Sequence, residues 1–287
     1  MDLTTVTDLL ALEEQNAPTG RARLTGFDGW REGDAWLGGG SWLYSEPQTS
    51  LRRLLDLRSL QWPPLQVDET GIHIAATCTI AELAAVRTPS HWLAAWLIEA
   101  CCRYLLASFK IWNLATVGGN LCLALPAGSM TSLAAALDGT CTLMTVHGDQ
   151  RCVPAAKFVT GERQTVLAPG EYLRSVHLPA SSLAREAAAR QYSLTSLGRS
   201  AVVVIAVGGV ADSSMALTVT ASTRHPVRLQ FPDIPTSDAL RNELDDAIGA
   251  ELYLDDVHGG RDWRRHLTYR LAEQVREELA TVARLQS

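Results

Sequence analysis

Two short stretches combine glycine, hydroxyl and amide residues in a way that suits oxyanion binding. They are Gly38-Gly39-Gly40-Ser41-Trp42 and Thr116-Val117-Gly118-Gly119-Asn120, each entered from a predominantly apolar segment. Glycine lacks a side chain, so its main-chain N–H can come close to a ligand, and successive N–H groups in a turn form an anion-binding concavity. Two such turns can grip one diphosphate from both sides, with Ser41 or Thr116 adding a hydroxyl donor. Taken singly, either stretch also reads as a tight bend. Other catalytic sets are missing: the chain has no Gly-x-Ser-x-Gly elbow, no His-Glu-x-x-His, no Walker loop and no Gly-x-Gly-x-x-Gly after a strand. Its 7 histidines are scattered without metal-ligand spacing. The 6 cysteines include no Cys-x-x-Cys pair and have apolar or β-prone neighbours, so they read as reduced, buried thiols rather than cluster ligands. If such a chain takes part in catalysis, a bound cofactor carries the reaction.

The second stretch continues through Leu121, then Leu125-Pro126-Ala127-Gly128-Ser129, then an Ala/Leu helix ending at Asp138-Gly139. In this order and spacing the chain resembles the FAD-binding (medium) subunit of the molybdenum hydroxylases, the xanthine dehydrogenase and carbon monoxide dehydrogenase family. Leu37 to Leu43 look like that family's other flavin loop, and the resemblance extends over most of the chain. It implies an α+β protein: a two-subdomain FAD-binding fold of the vanillyl-alcohol-oxidase/MurB-like type over residues 1–179, with FAD in the cleft. A C-terminal α+β domain, an antiparallel sheet with helices on one face, would follow over residues 180–287.

The same resemblance implies roles for individual residues. Gly38, Gly39, Gly40, Ser41 and Trp42, with Thr116, Val117, Gly118, Gly119 and Asn120, would hold the FAD diphosphate and ribityl hydroxyls through main-chain N–H groups. Ser129 stands where the family usually has the Asp of Pro-x-x-Asp, and Trp42 where it commonly has an Asp in the first loop. Leu173, in Glu171-Tyr172-Leu173, looks like the apolar residue near the flavin ring. Tyr192 would cover the isoalloxazine, or else serve as an ordinary half-buried strand tyrosine. Implied partners are a large molybdopterin subunit and a small subunit with two [2Fe-2S] clusters, in a dimer of heterotrimers, with this chain passing electrons to an external acceptor. Two other readings compete. A stand-alone flavoprotein oxidase or dehydrogenase needs acid/base residues over the flavin, which the chain does not assemble. A flavin-free scaffold subunit would tolerate the neutral Ser129.

The elements that must position these residues follow from periodicity. Thr5 to Gln15 reads as a short amphipathic helix, and Asp34 to Leu37 as the strand that feeds the first glycine stretch. Pro47, Thr49 and Ser50 read as a helical start with Leu51, Leu54 and Leu55 inward and Arg52 and Arg53 on the wet side. Residues 65–67 and 72–75 alternate like a hairpin, with His73 pointing opposite to Ile72 and Ile74. Thr79-Ile80-Ala81-Glu82 is a capping box opening a short helix, and Pro89 starts a longer one. Ser129 to Leu137 is a small-residue helix stopped by Gly139. The Ser/Ala-rich residues 180–189 are the best boundary. Beyond them come strands near 190–194, 201–210, 215–220 and 227–231, then helices near 238–249 and 261–284.

Bulk properties agree with a folded protein. The chain has 287 residues, 47% hydrophobic and 20% charged, enough for two or three packed modules. A net charge of −6 argues against a general nucleic-acid surface. No apolar run reaches the length of a membrane span, and the N-terminal residues lack a signal core, so a cytoplasmic location is expected.

Overall fold

The computed structural model describes residues 5–16, 22–209 and 213–286. Its first strands are β1 (Asp8–Ala11), β2 (Glu13–Asn16), β3 (Ala22–Thr25), β4 (Asp34–Leu37) and β5 (Arg53–Asp56). β5 is the centre of a parallel sheet in the order β1-β5-β4, and β2 and β3 form a separate antiparallel pair. Two expectations fail here: residues 8–11 and 13–16 are strands rather than a helix, and Leu54 and Leu55 are buried in β5 rather than on a helical face. An isolated helix this short is marginal, whereas strand pairing, of β1 with β5 and of β2 with β3, satisfies the same backbone groups.

Arg53, expected on the wet side, is only 9% exposed. Its guanidinium donates twice to the Asp34 carboxylate, at 2.8 and 2.7 Å, and also to Asp28 and to the Gly29 carbonyl. Burial by itself would raise the pKa of Asp34. The bonds from Arg53 and from the Arg31 amide outweigh that and hold it below the usual carboxylate value. This fork fixes β5 to β4, the strand that delivers the chain to the first glycine stretch.

The hairpin of β6 (Leu65–Asp68) and β7 (Gly71–Ala75) forms as expected, with Ile72 and Ile74 buried and the His73 ring stacked outside on His177. The capping box ahead of α1 (Ile80–Ala84) is closed: Glu82 N–H donates to Thr79 Oγ1 at 3.2 Å, and Thr79 N–H donates to Glu82 Oε2 at 2.8 Å. Then come α2 (Trp96–Tyr104), the single turn α3 (Phe109–Trp112), α4 (Val117–Leu123) and α5 (Ser129–Ala136). α5 stops at Asp138, which takes the left-handed conformation at φ 55°, while Gly139 N–H returns to the Ala134 carbonyl at 2.7 Å.

β8 (Thr140–Thr145), β9 (Gln150–Pro154), the ribbon of β10 (Val159–Gly161) and β11 (Gln164–Thr165), and β12 (Glu171–Pro179) complete the middle of the molecule. An antiparallel sheet runs β6-β7-β12-β8-β9, and its central strand shifts register between Leu173 and Ser175.

α6 (Ala180–Leu183) leads to β13 (Glu186–Ser193), β14 (Ser200–Gly208), β15 (Met215–Thr220) and β16 (Val227–Phe231), an antiparallel sheet in chain order. Val210, expected at the end of β14, lies outside the described residues. The last helices are α7 (Ser237–Ala247) and α8 (Arg261–Gln286). Strand alternation gives this sheet two different cores. Ala189, Val203, Ile205 and Val207 join the cluster that holds the middle sheet and α2–α5. Ala188, Val202, Val204 and Ala206 pack instead with Leu244, Leu271 and Val275 of α7 and α8. Buried Arg264 ties α8 to the sheet by donating to the Ala201 and Ala221 carbonyls, each at 2.7 Å. No described helix is long and apolar enough to cross a membrane.

Candidate cofactor site

β4 ends at Leu37, and the chain turns through Gly38, Gly39 and Gly40 directly against the second glycine stretch. A Cβ on Gly39 would overlap the Leu114 carbonyl oxygen, and one on Gly38 would stand 2.8 Å from Thr116 Oγ1. The two stretches converge because these positions carry no side chain. Gly40 lies beneath the Tyr44 ring with φ 69°, a conformation that favours glycine. The following turn is closed by Tyr44 N–H donating to the Gly40 carbonyl and Ser45 N–H to the Trp42 carbonyl, both at 2.9 Å. Among the described residues, the amides of Gly39, Gly40, Ser41, Trp42 and Leu43 donate to no protein group. Unspent consecutive N–H groups of this kind can receive an anion.

The second stretch is built differently from the expectation. It is the first turn of α4, with Thr116 as its cap, and its amides are already committed. Val117 N–H donates to the Cys78 carbonyl at 2.8 Å, Gly118 N–H to Ala76 at 2.9 Å, Gly119 N–H to Thr116 Oγ1 at 3.0 Å and Asn120 N–H to the Thr116 carbonyl at 2.9 Å. Val117 and Gly118 are buried. The uncommitted main-chain donors therefore lie in the first stretch, while those of the second are spent within the protein. Thr116 Oγ1 accepts from Gly119, which leaves its own hydrogen available to donate.

Asn120 reaches the next helix, where its Oδ1 accepts from Met130 N–H at 3.1 Å. That bond places Ser129 beside the second stretch. Ser129 is 1% exposed, and its hydroxyl has no partner. The Leu173 side chain is enclosed in the main core at 2% exposure, as deeply as Thr116 and Ser129. Tyr192 is 47% exposed. It pairs with Val202, on the face of the sheet that meets α8, and its ring lies edge-on to Trp263 at 6.0 Å. Its neighbour Gln191 pairs with Val203, whose side chain joins the core of the middle sheet. One residue of strand parity decides the face.

Trp42 has a neighbour that sequence spacing does not reveal. The Arg163 guanidinium carbon, on the tight turn between β10 and β11, stands 5.1 Å from the Trp42 ring centroid. Arg163 itself has φ 56°, and its N–H donates to the Ala124 carbonyl at 2.9 Å. No local motif links positions 42 and 163, so only the fold brings this cation to the glycine stretch.

Of the cysteines, Cys78, Cys101, Cys102 and Cys141 are buried as expected, whereas Cys122 and Cys152 are exposed. Burial pushes the Cys78, Cys102 and Cys141 thiols up to about 12, so they stay protonated and poorly nucleophilic at neutral pH. Among the described residues no group of three His, Cys, Asp or Glu side chains could hold a metal ion. Clefts of about 410, 390 and 400 Å³ lie at the C-terminal sheet and between α7 and α8, away from the glycine stretches.

The donor set fits a dinucleotide that carries a diphosphate and sugar hydroxyls: free amides and a cation on one side, the Thr116 and Ser129 hydroxyls on the other. Residues 35–181, just over half of the chain, match the FAD binding domain in molybdopterin dehydrogenase. The chain belongs to this family of oxidoreductase flavin domains. It is 36% identical over 123 residues to xanthine dehydrogenase of Oryza sativa subsp. japonica and 31% identical over 125 residues to xanthine dehydrogenase/oxidase of Gallus gallus. Those matches take in 40% and 41% of this chain but only 9% of either relative. The fold is similar to quinoline 2-oxidoreductase from Pseudomonas putida 86, with a TM-score of 0.69 at 19% identity, covering 87% of this chain and 90% of that one. It is also similar to a Cu,Mo-CO dehydrogenase, with a TM-score of 0.73 at 19% identity over 89% and 91% of the two chains.

Proposed function

We propose that this chain holds FAD against the turn at residues 38–43 and serves as the electron-transfer subunit of a molybdenum hydroxylase. In this reading electrons arrive from [2Fe-2S] clusters of a small partner subunit, a large molybdopterin subunit oxidises the substrate, and an external acceptor takes the electrons from this chain. The assembly is a dimer of heterotrimers in the cytoplasm. Residues 1–179 carry the cofactor, and residues 180–287 form the C-terminal module.

The single observation that carries the reading is the run of uncommitted amides from Gly39 to Leu43, which follows directly on the close approach of Gly38 to Thr116. Those amides bind the diphosphate oxygens, and Arg163 adds positive charge beside them. Thr116 and the buried Ser129 hydroxyl are the donors available to sugar or ribityl oxygens. When bound, the isoalloxazine supplies the redox chemistry; the polypeptide binds, orients and sets the local field. The committed amides of α4 and the neutral Ser129 favour one rival, a flavin-free scaffold subunit. Flavin titration decides between them. The purified chain should quench FAD fluorescence saturably and show flavin absorbance, whereas a colourless chain that takes up no added FAD refutes the proposal.

A further inference from the structure

A second polar site lies on the far side of α5, where the C-terminal sheet meets the middle of the molecule. Arg228 on β16 stands directly across from Thr218 on β15, so the two side chains share one face of the sheet. That face is turned toward α5: Thr220, two residues along from Thr218, shares a hydrogen bond at 2.7 Å with Ser132 of α5. Both Arg228 Nε and Thr218 Oγ1 are buried and have no hydrogen-bond partner. The nearest acidic group, Asp138 Oδ1, is 3.6 Å from the Arg228 Nη2, and the Asp138 side chain is itself 58% exposed. A guanidinium held 85% out of solvent with its Nε unpaired is costly unless something else completes it.

Arg228 opens on two adjoining clefts of about 410 and 400 Å³, which also share Asp138 and Gln230. The first cleft also contains Arg185, held in place by donating to the Ser214 carbonyl and hydroxyl at 3.0 and 2.5 Å. The second contains Lys157. Among the described residues, Arg228 and Lys157 face one carboxylate, Asp138, along this seam, in a chain whose net charge is −6. A local excess of positive charge in a concave, partly desolvated place concentrates small anions.

We propose that this seam binds a small oxyanion, a carboxylate or a phosphate, with the Arg228 guanidinium, where it lines the clefts, as its charged anchor and Lys157 as a second, solvent-side contact. The site is separate from the glycine stretches and bridges α5 to β15 and β16, so its ligand joins the two cores.

The test uses the full chain with inorganic phosphate in one arm and succinate in the other, each against chloride at equal ionic strength. Heat released on titration and the thermal unfolding midpoint are both followed. At least one probe should bind saturably and raise the midpoint, and the arm that responds tells phosphate from carboxylate. R228Q should abolish that response, and K157Q, on an exposed side chain, should weaken it about tenfold. If R228Q does not fold, K157Q alone decides, and affinity unchanged by K157Q overturns the proposal. No saturable response in the wild-type chain overturns it as well. So does a response that survives both substitutions, since that probe would be sitting elsewhere, for instance on the free amides of residues 39–43. FAD uptake is a separate readout, so failure here leaves the flavin assignment standing.

Discussion

Replacing Gly39 by alanine is the sharpest perturbation of the proposed flavin site. The added Cβ would occupy the position of the Leu114 carbonyl oxygen, so the two stretches must separate by roughly 1–2 Å to restore contact distance. Overpacking of this kind costs about 1–3 kcal/mol of stability, a modest share of that of a domain this size. The effect on the ligand is larger. If the shift withdraws two amides from a charged oxygen, at about 1.5–3 kcal/mol each, FAD affinity should fall by about 10²- to 10⁴-fold. Fluorescence-quenching titration of FAD measures this directly, with circular dichroism and a melting curve to establish that the variant is folded. Gly260→Ala is the control, because its Cβ would find no heavy atom nearer than 3.7 Å; its affinity should stay within about twofold of wild type. A folded G39A chain that binds FAD within about threefold of wild type would show that the diphosphate is not held where these stretches meet.

The remaining predictions concern the scaffold. Arg53→Leu leaves the Asp34 carboxylate buried and unpaired and should cost about 3–5 kcal/mol in a denaturant titration. Asp34 has a folded pKa below its ordinary value, so its contribution is complete above about pH 4 and is lost as pH falls through the depressed value; Asp34→Asn should flatten that acid limb of the stability curve. Thr79→Ala removes one half of the capping box and should cost about 1 kcal/mol, read from the denaturation midpoint. Tyr192→Ala should leave FAD affinity and the flavin absorbance spectrum unchanged, because the ring packs on Trp263 across the sheet from the middle core.

The elements with a strong local signal were legible in the sequence. The capping box at Thr79, the strand entering Gly38, the 65–75 hairpin and the last three C-terminal strands declared themselves through alternation, turn residues or caps, whereas β13 begins at Glu186, inside the Ser/Ala-rich stretch read as a boundary. The N-terminal segment did not, because β1 forms by pairing with β5, some forty residues away in sequence, and β2 by pairing with β3. Arg53 looked like a surface residue for the same reason, since the carboxylate that draws it inward belongs to another strand. At the site, glycine spacing revealed that two stretches meet but not which amides remain free. That depends on Ala76 and Cys78, whose carbonyls take the donors of α4. The face on which Tyr192 lies is set by strand parity, which a shift of one residue reverses.

The four-stranded sheet is a party wall, plastered on both sides. Removing everything after α6 would leave bare the patch of the main core that Ala189, Val203, Ile205 and Val207 now cover. Expressed alone, the first 179 residues should clump rather than act as a miniature flavoprotein. A trimmed version would need those surfaces redesigned before it could stand by itself.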